Sequence, residues 1–119
     1  MVVIKGPTRQ TLYDILSPLG EVRQLSNSEG KIKKPTLVLR KMPSMASASN
    51  SLGVYIYWQV MCYVPKHSIL ALDNLVEQVT NALKANKIEL TNRFGEDFYD
   101  DEVDAYMTFV EFRAPKSML

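Results

Sequence analysis

The stretch GVYIYWQVMCYVP, residues 53–65, carries no charge and contains the only Trp, the only Cys and three of the six Tyr of the chain. Read with a period of two, it separates into two faces. Val54, Ile56, Trp58, Val60, Cys62 and Val64 point one way, and Tyr55, Tyr57, Gln59, Met61 and Tyr63 the other. β-Branched and aromatic residues suit a pleated strand. The first face is apolar enough to lie in a core. The second is amphiphilic, able to pack against protein without being committed to burial. At about 12 residues the strand exceeds the usual five or six, which favours a central, bent or projecting position.

The uncharged run extends from Met42 to Pro65, but it does not describe a membrane span. Its first half, MPSMASASNSLG, is rich in Ser, and the apolar part is confined to Leu52–Val64 with Gln59 inside it. A spanning helix needs about 20 mostly apolar residues. The beginning, MVVIKGP, lacks the basic and apolar regions of a signal peptide. The chain therefore reads as soluble and unexported. With 119 residues and 46% hydrophobic content, residues 1–119 are expected to form one domain around one core. A formal net charge of +1 leaves no global electrostatic footprint for nucleic acid or membrane. One Cys excludes an internal disulfide, and with one His it leaves no zinc-type ligand set. A reducing, intracellular setting of folding is expected.

Upstream, GPTRQTLYDILSPLG predicts a helix: Pro7 or Thr8 stands near its first turn, Leu12, Ile15, Leu16 and Leu19 form an apolar stripe, and Pro18 and Gly20 stop it. EVRQLS is a weak strand candidate and NSEGKIKK a polar, basic turn region. PTLVLRKM is a better strand, with Pro35 at its mouth, where a missing ladder donor is tolerated. The serine-rich loop of residues 43–52 follows and is expected to order only when a neighbour covers it. In PKHSILALDNLVEQVTNALKANK, Leu72, Leu75, Val76, Val79 and Leu83 recur at helical spacing behind a cap at Ser68. KIEL reads as a short strand, TNRFGEDFYDDE as an acidic loop, VDAYMTFVEFRAP as a last long strand and KSML as a loose tail. The order predicts an α+β domain, a single antiparallel sheet of about four strands with two helices packed on one face. Its far face is either half solvated or covered by a neighbouring chain, since aromatic residues and Met are enriched at interfaces.

Chemistry-bearing patterns are sparse. Cys62 and His67 are the only thiol and imidazole, but a Cys on the inward side of a strand is ordinarily a small buried hydrophobe. No G-x-S-x-G and no phosphate-cradling glycine motif occurs. Residues 96–104, EDFYDDEVD, hold six acidic residues in nine, without the spacing of a calcium loop, and most simply form a solvated loop. A basic group, Arg23, Lys31, Lys33, Lys34, Arg40 and Lys41, lies in the first third without a nucleic-acid-binding module around it. No catalytic residue, metal ligand or cofactor site is expected.

The segments TLYDIL, PTLVL, YIYWQVMCYVP running into LDNLVEQVTNAL, and YDDEVDAYMTFVEFRAP together resemble the tail-completion or tail-terminator family of long-tailed bacteriophages and prophages, over roughly Thr8 to Ala114. The resemblance implies a structural protein of the virion, assembled in the host cytoplasm and placed at the tail neck. It implies a homo-oligomeric ring, commonly hexameric, that caps the tail tube, meets a head connector or stopper protein, and lets DNA pass without sequence-specific binding or membrane contact. Another head–tail connector component, a stopper or adaptor, is the nearest alternative. A small metal-dependent enzyme using the acidic segment, or a nucleic-acid-binding regulator, is more distant. Within this picture Arg23, Lys31, Lys33, Lys34, Tyr55, Tyr57, Met61, Tyr63, Asp97, Asp100, Asp101 and Glu102 are the candidates for a subunit interface or channel lining. The acidic segment is expected to meet Lys31, Lys33 and Lys34 of the next subunit, or to face the channel.

Overall fold

The computed structural model describes residues 8–23, 31–42, 55–66 and 69–115. The serine-rich loop of residues 43–52, the cap at Ser68, His67 and the tail KSML lie outside them. The elements run in the order α1 (Arg9–Leu16), β1 (Glu21–Arg23), β2 (Thr36–Lys41), β3 (Tyr55–Pro65), α2 (Ile69–Ala85), β4 (Glu89–Phe94), β5 (Phe98–Asp100) and β6 (Ala105–Pro115).

Helix α1 begins where the side-chain oxygen of Thr8 accepts the Thr11 amide at 3.2 Å, satisfying one of the free donors of the first turn. It buries Leu12 and Leu16, with Ile15 and Leu19 against the same core. The chain then turns sharply into β1. A Cβ on Gly20 would stand 2.9 Å from the Pro35 carbonyl oxygen, which also accepts the Glu21 amide at 3.1 Å, so only glycine lets β1 come alongside the mouth of β2. Helix α2 buries Leu72, Leu75, Val79 and Leu83 as their spacing predicts. Its end closes with the Ile88 amide on the Leu83 carbonyl at 2.9 Å and the Lys87 amide on the Lys84 carbonyl at 3.0 Å. This is a Schellman closure, and it puts Lys87 in the left-handed region at φ 60°.

The sheet order is β1-β2-β3-β6-β4, with β5 also paired to β6. This corrects the expected antiparallel sheet of about four strands: the described residues form a mixed sheet of six, in which β1 runs parallel to β2 and the other pairings are antiparallel. Strand β1 falls in EVRQLS, the weak strand candidate, and β5 is the strand not expected; each has three residues, too short to display an alternation. The expected acidic loop is corrected for the same reason. Its first residues complete β4, and Phe98 and Tyr99, both good strand formers, carry Asp100 into β5 because β6 offers an open edge to pair with.

Strands β3 and β6 pair along their whole length, from Tyr55 opposite Pro115 to Pro65 opposite Ala105. The alternation of the sequence holds through this ribbon. Trp58, Val60, Cys62 and Val64 from β3 and Val110, Phe112 and Ala114 from β6 join Leu37 and Leu39 in one core under α1 and α2, with Ile56 packed against it. Trp58 and Phe112, directly opposite in register, stack with centroids 6.4 Å apart and planes 5° from parallel.

Candidate functional site

The sheet face turned away from both helices carries the aromatic candidates. Across β2, β3 and β6 it reads in rows: Thr36, Tyr63 and Met107; Val38, Met61 and Phe109; Arg40, Gln59 and Glu111. Tyr57, opposite Arg113, continues it, while Tyr55 begins β3 opposite Pro115. The face is not bare. Val38 and Met107 are buried, and Tyr57, Met61, Tyr63 and Phe109 are half-buried. β5 adds Phe98, which pairs with Met107 and remains 52% exposed. Sequence reading missed Phe98 because its acidic neighbours concealed a strand; the pair Phe98–Tyr99 itself was the available signal. Two polar features interrupt the face. Arg113 binds Glu89 with both nitrogens of a fork, at 2.8 and 3.0 Å, and that hydrogen bonding holds the Glu89 carboxyl below its ordinary value. Glu111 is 7% exposed, and among the described residues no hydrogen bond or ion pair reaches its carboxylate.

One end of this face is acidic. The turn of residues 101–104 is pinned when the Ile32 amide donates to the Val103 carbonyl at 2.8 Å, and Ile32, Val103 and Ala105 form a small buried cluster against Tyr63. Asp104, at φ 54°, accepts the Tyr99 hydroxyl and pairs with the Lys66 ammonium at 3.5 Å. The Tyr99 bond, with Lys66 and Lys31 nearby, holds the Asp104 carboxyl below the usual range, and the same bond pushes Tyr99 up to about 12. Burial, then the charge of Asp100, raises Tyr63. Asp100 accepts the Glu102 amide at 3.0 Å, while Asp97, Asp101 and Glu102 stand exposed. Lys31 thus lies near Asp104 in the acidic turn of its own chain. Arg23 and Lys34 instead meet Glu21, at 3.2 and 4.0 Å, beside an open groove of about 490 Å³ floored by Tyr13, Leu19 and Pro35. Lys33 is exposed. The predicted basic group is therefore dispersed, with Lys31 near the acidic turn, Arg23 and Lys34 at Glu21, Arg40 in the row of Gln59 and Lys41 at Trp58.

The opposite end of the ribbon holds a cluster that the sequence reading did not assemble. Lys41 pairs with Trp58 in register, and its ammonium lies 5.9 Å from the indole centroid. The Arg9 guanidinium lies 5.2 Å from the same ring and donates to the Leu39 carbonyl at 3.4 Å. Trp58 is buried, and among the described residues its indole N–H has no acceptor. Arg9 escaped notice because it lies 49 residues before Trp58 in sequence and only the packing of α1 brings them together.

Cys62 is fully buried among aliphatic side chains, which pushes its thiol up to about 12, so it stays protonated and unreactive at neutral pH. Among the described residues no group of three or more His, Cys, Asp or Glu is placed to hold a metal ion, and no helix is long and apolar enough to cross a membrane. Comparisons with protein-family models, with curated proteins and with solved structures find no match.

Proposed function

We propose that this chain is a structural subunit of a phage tail neck, of the tail-terminator kind, acting without catalysis by forming a ring that caps the tail tube and lets DNA through. The observation that carries the reading is the division of labour in the β3–β6 ribbon. Both helices serve one face, and the other offers Tyr57, Met61, Tyr63, Phe109 and the exposed Phe98, an aromatic and Met-rich surface of the composition found in subunit contacts. The sequence resemblance over Thr8 to Ala114 supports the same reading and supplies its location in the particle.

Native mass measurement of the purified chain, followed by imaging of tails assembled with and without it, tests the proposal. A closed ring at the head-proximal end of the tube is the expected result, and tubes of uncontrolled length are expected in its absence. A ring bound to the head connector, with tails of normal length when the chain is missing, would instead assign the stopper or adaptor role. Tails and heads that join normally without the chain would refute any neck function.

A further inference from the structure

We propose that copies of this chain join head to tail, the acidic turn between β5 and β6 of one copy seating against the Arg9, Lys41 and Trp58 cluster of the next. The proposal rests on the ring reading for closure of the assembly, but its chemistry stands on the two ends of the ribbon.

At the basic end two exposed cations share one indole, a placement that concentrates like charge. Among the described residues no carboxylate pairs with either. Asp14 on α1 accepts from Gln10 at 2.9 Å, Glu89 is held by Arg113, and Glu111 belongs to the opposite sheet face. The Trp58 N–H adds a buried donor without an acceptor, a group that ordinarily finds a partner. An incoming anion is the missing component. At the acidic end the surplus has the other sign: six carboxylates fall within nine residues, among the described residues only Asp104 pairs with a cation, Lys66, with Lys31 nearby, and Asp101 and Glu102 are exposed.

The two ends cannot neutralise each other within one copy. From Ala105 to Phe112 the strand advances about 24 Å at its usual rise, more than twice the Debye length of about 10 Å at 0.1 M salt. Because they terminate the same ribbon, each copy offers one donor end and one acceptor end, the arrangement that propagates a heterologous contact. A carboxylate-bearing turn fits the basic end better than a duplex does, since nucleic-acid binding is usually built on about 6–10 phosphate contacts and this cluster supplies two cations.

The test uses two charge-reversed variants of the full chain, Arg9→Glu with Lys41→Glu and Asp100→Lys with Asp101→Lys, each checked for an unchanged circular dichroism spectrum. Self-association is followed by analytical ultracentrifugation. Each variant alone should associate at least about tenfold more weakly than wild type, and an equimolar mixture, in which every contact again pairs opposite signs, should recover to within about threefold. Wild-type association should also weaken as salt rises from about 0.05 to 0.5 M. Wild-type rings indifferent to both reversals would overturn the contact and leave the ring reading standing. Open chains that obey the charge pattern would support the contact and defeat the ring reading. A wild type that stays monomeric to about 1 mM, or an Arg9 and Lys41 reversal that abolishes duplex DNA binding without touching association, would overturn the proposal.

Discussion

Replacing Gly95 by Ala isolates how the far face of the sheet holds its aromatic side chains. An added Cβ would meet the Phe109 ring, lying 2.7 Å from Cε1 and closer still to Cδ1, and would stand 3.1 Å from the Phe109 backbone nitrogen. The ring can swing, being half-buried. The backbone cannot, because the Gly95 amide donates to the Phe109 carbonyl at 3.0 Å and the Thr108 hydroxyl donates to the Gly95 carbonyl at 2.8 Å. Overpacking of this kind costs about 1–3 kcal/mol, and about 2 is expected here since part of the clash is rigid. For a chain of this size that lowers Tm by roughly 6–10 °C. Truncating Phe109 to Ala removes the ring contacts but leaves the backbone nitrogen 3.1 Å away, so in that background Gly95→Ala should cost no more than about 1 kcal/mol. The smaller loss gives a coupling of about 1 kcal/mol or more, measurable from urea unfolding of the four proteins in the cycle. An equal loss from Gly95→Ala in both backgrounds would show that the ring does not rest on Gly95 and would refute the reasoning.

Other outcomes follow from single features. Lys87→Gly should raise stability by about 0.5–1 kcal/mol in thermal unfolding, because Lys87 closes α2 from the left-handed region that glycine enters without penalty. Cys62 should resist thiol reagents at neutral pH and react only on unfolding, since burial lifts its pKa to about 12; labelling of the native protein at the rate of a free thiol would contradict its placement. Glu89 and Asp104 have lowered carboxyl pKa values, so their contributions are present above the ordinary values of 4.5 and 3.8 and are lost as pH falls through the lowered ones. Tyr99 is raised from 10.0 to about 12, so its contribution is present below pH 10 and lost as pH rises toward 12. Urea midpoints should accordingly decline at both extremes, with Glu89→Gln flattening only the acid limb and Tyr99→Phe flattening the alkaline limb together with the Asp104 part of the acid limb, since it removes the bond that lowers Asp104. Adjacent residues of β3 should fail differently: Val60→Arg should abolish the circular dichroism signature of the fold by burying an unpaired charge, whereas Met61→Arg should keep the fold and weaken assembly.

Where the sequence carried a period, it could be read. The inward face of β3, apart from Val54, which lies outside the described residues, and the stripes of α1 and α2 reappear in the core, because burial selects apolar side chains at every repeat of the element. Strand β1 left only the weak signal of EVRQLS, and β5 no periodic signal. Each takes its place from backbone pairing with a longer neighbour, and in β5 two aromatic residues outweigh the acidic composition that pointed to a loop. Of the interface candidates, Tyr57, Met61 and Tyr63 were legible as a face because alternation alone assigns it. The charge partners were not, since charge composition does not specify distance. Ile32, through its bond to Val103, draws Lys31 to the acidic turn, and helix packing, a long-range effect, supplies Arg9 to Trp58.

The sheet consequently separates its tasks along two perpendicular directions. Across the ribbon, successive residues alternate between the core under α1 and α2 and the aromatic far face, so a change on one side leaves the other intact. Along the ribbon, the acidic turn at the start of β6 and the Arg9–Lys41 cluster beside its end are too far apart to cancel. Glu111 sits between these features, nearly buried in a row with Gln59 and Arg40. A carboxylate withdrawn from water without a partner is costly in a closed core, and a wholly apolar residue would have packed there at less expense. Among the described residues its oxygens are not buried without a partner, so this row of the far face keeps access to water, as the core under α1 and α2 does not.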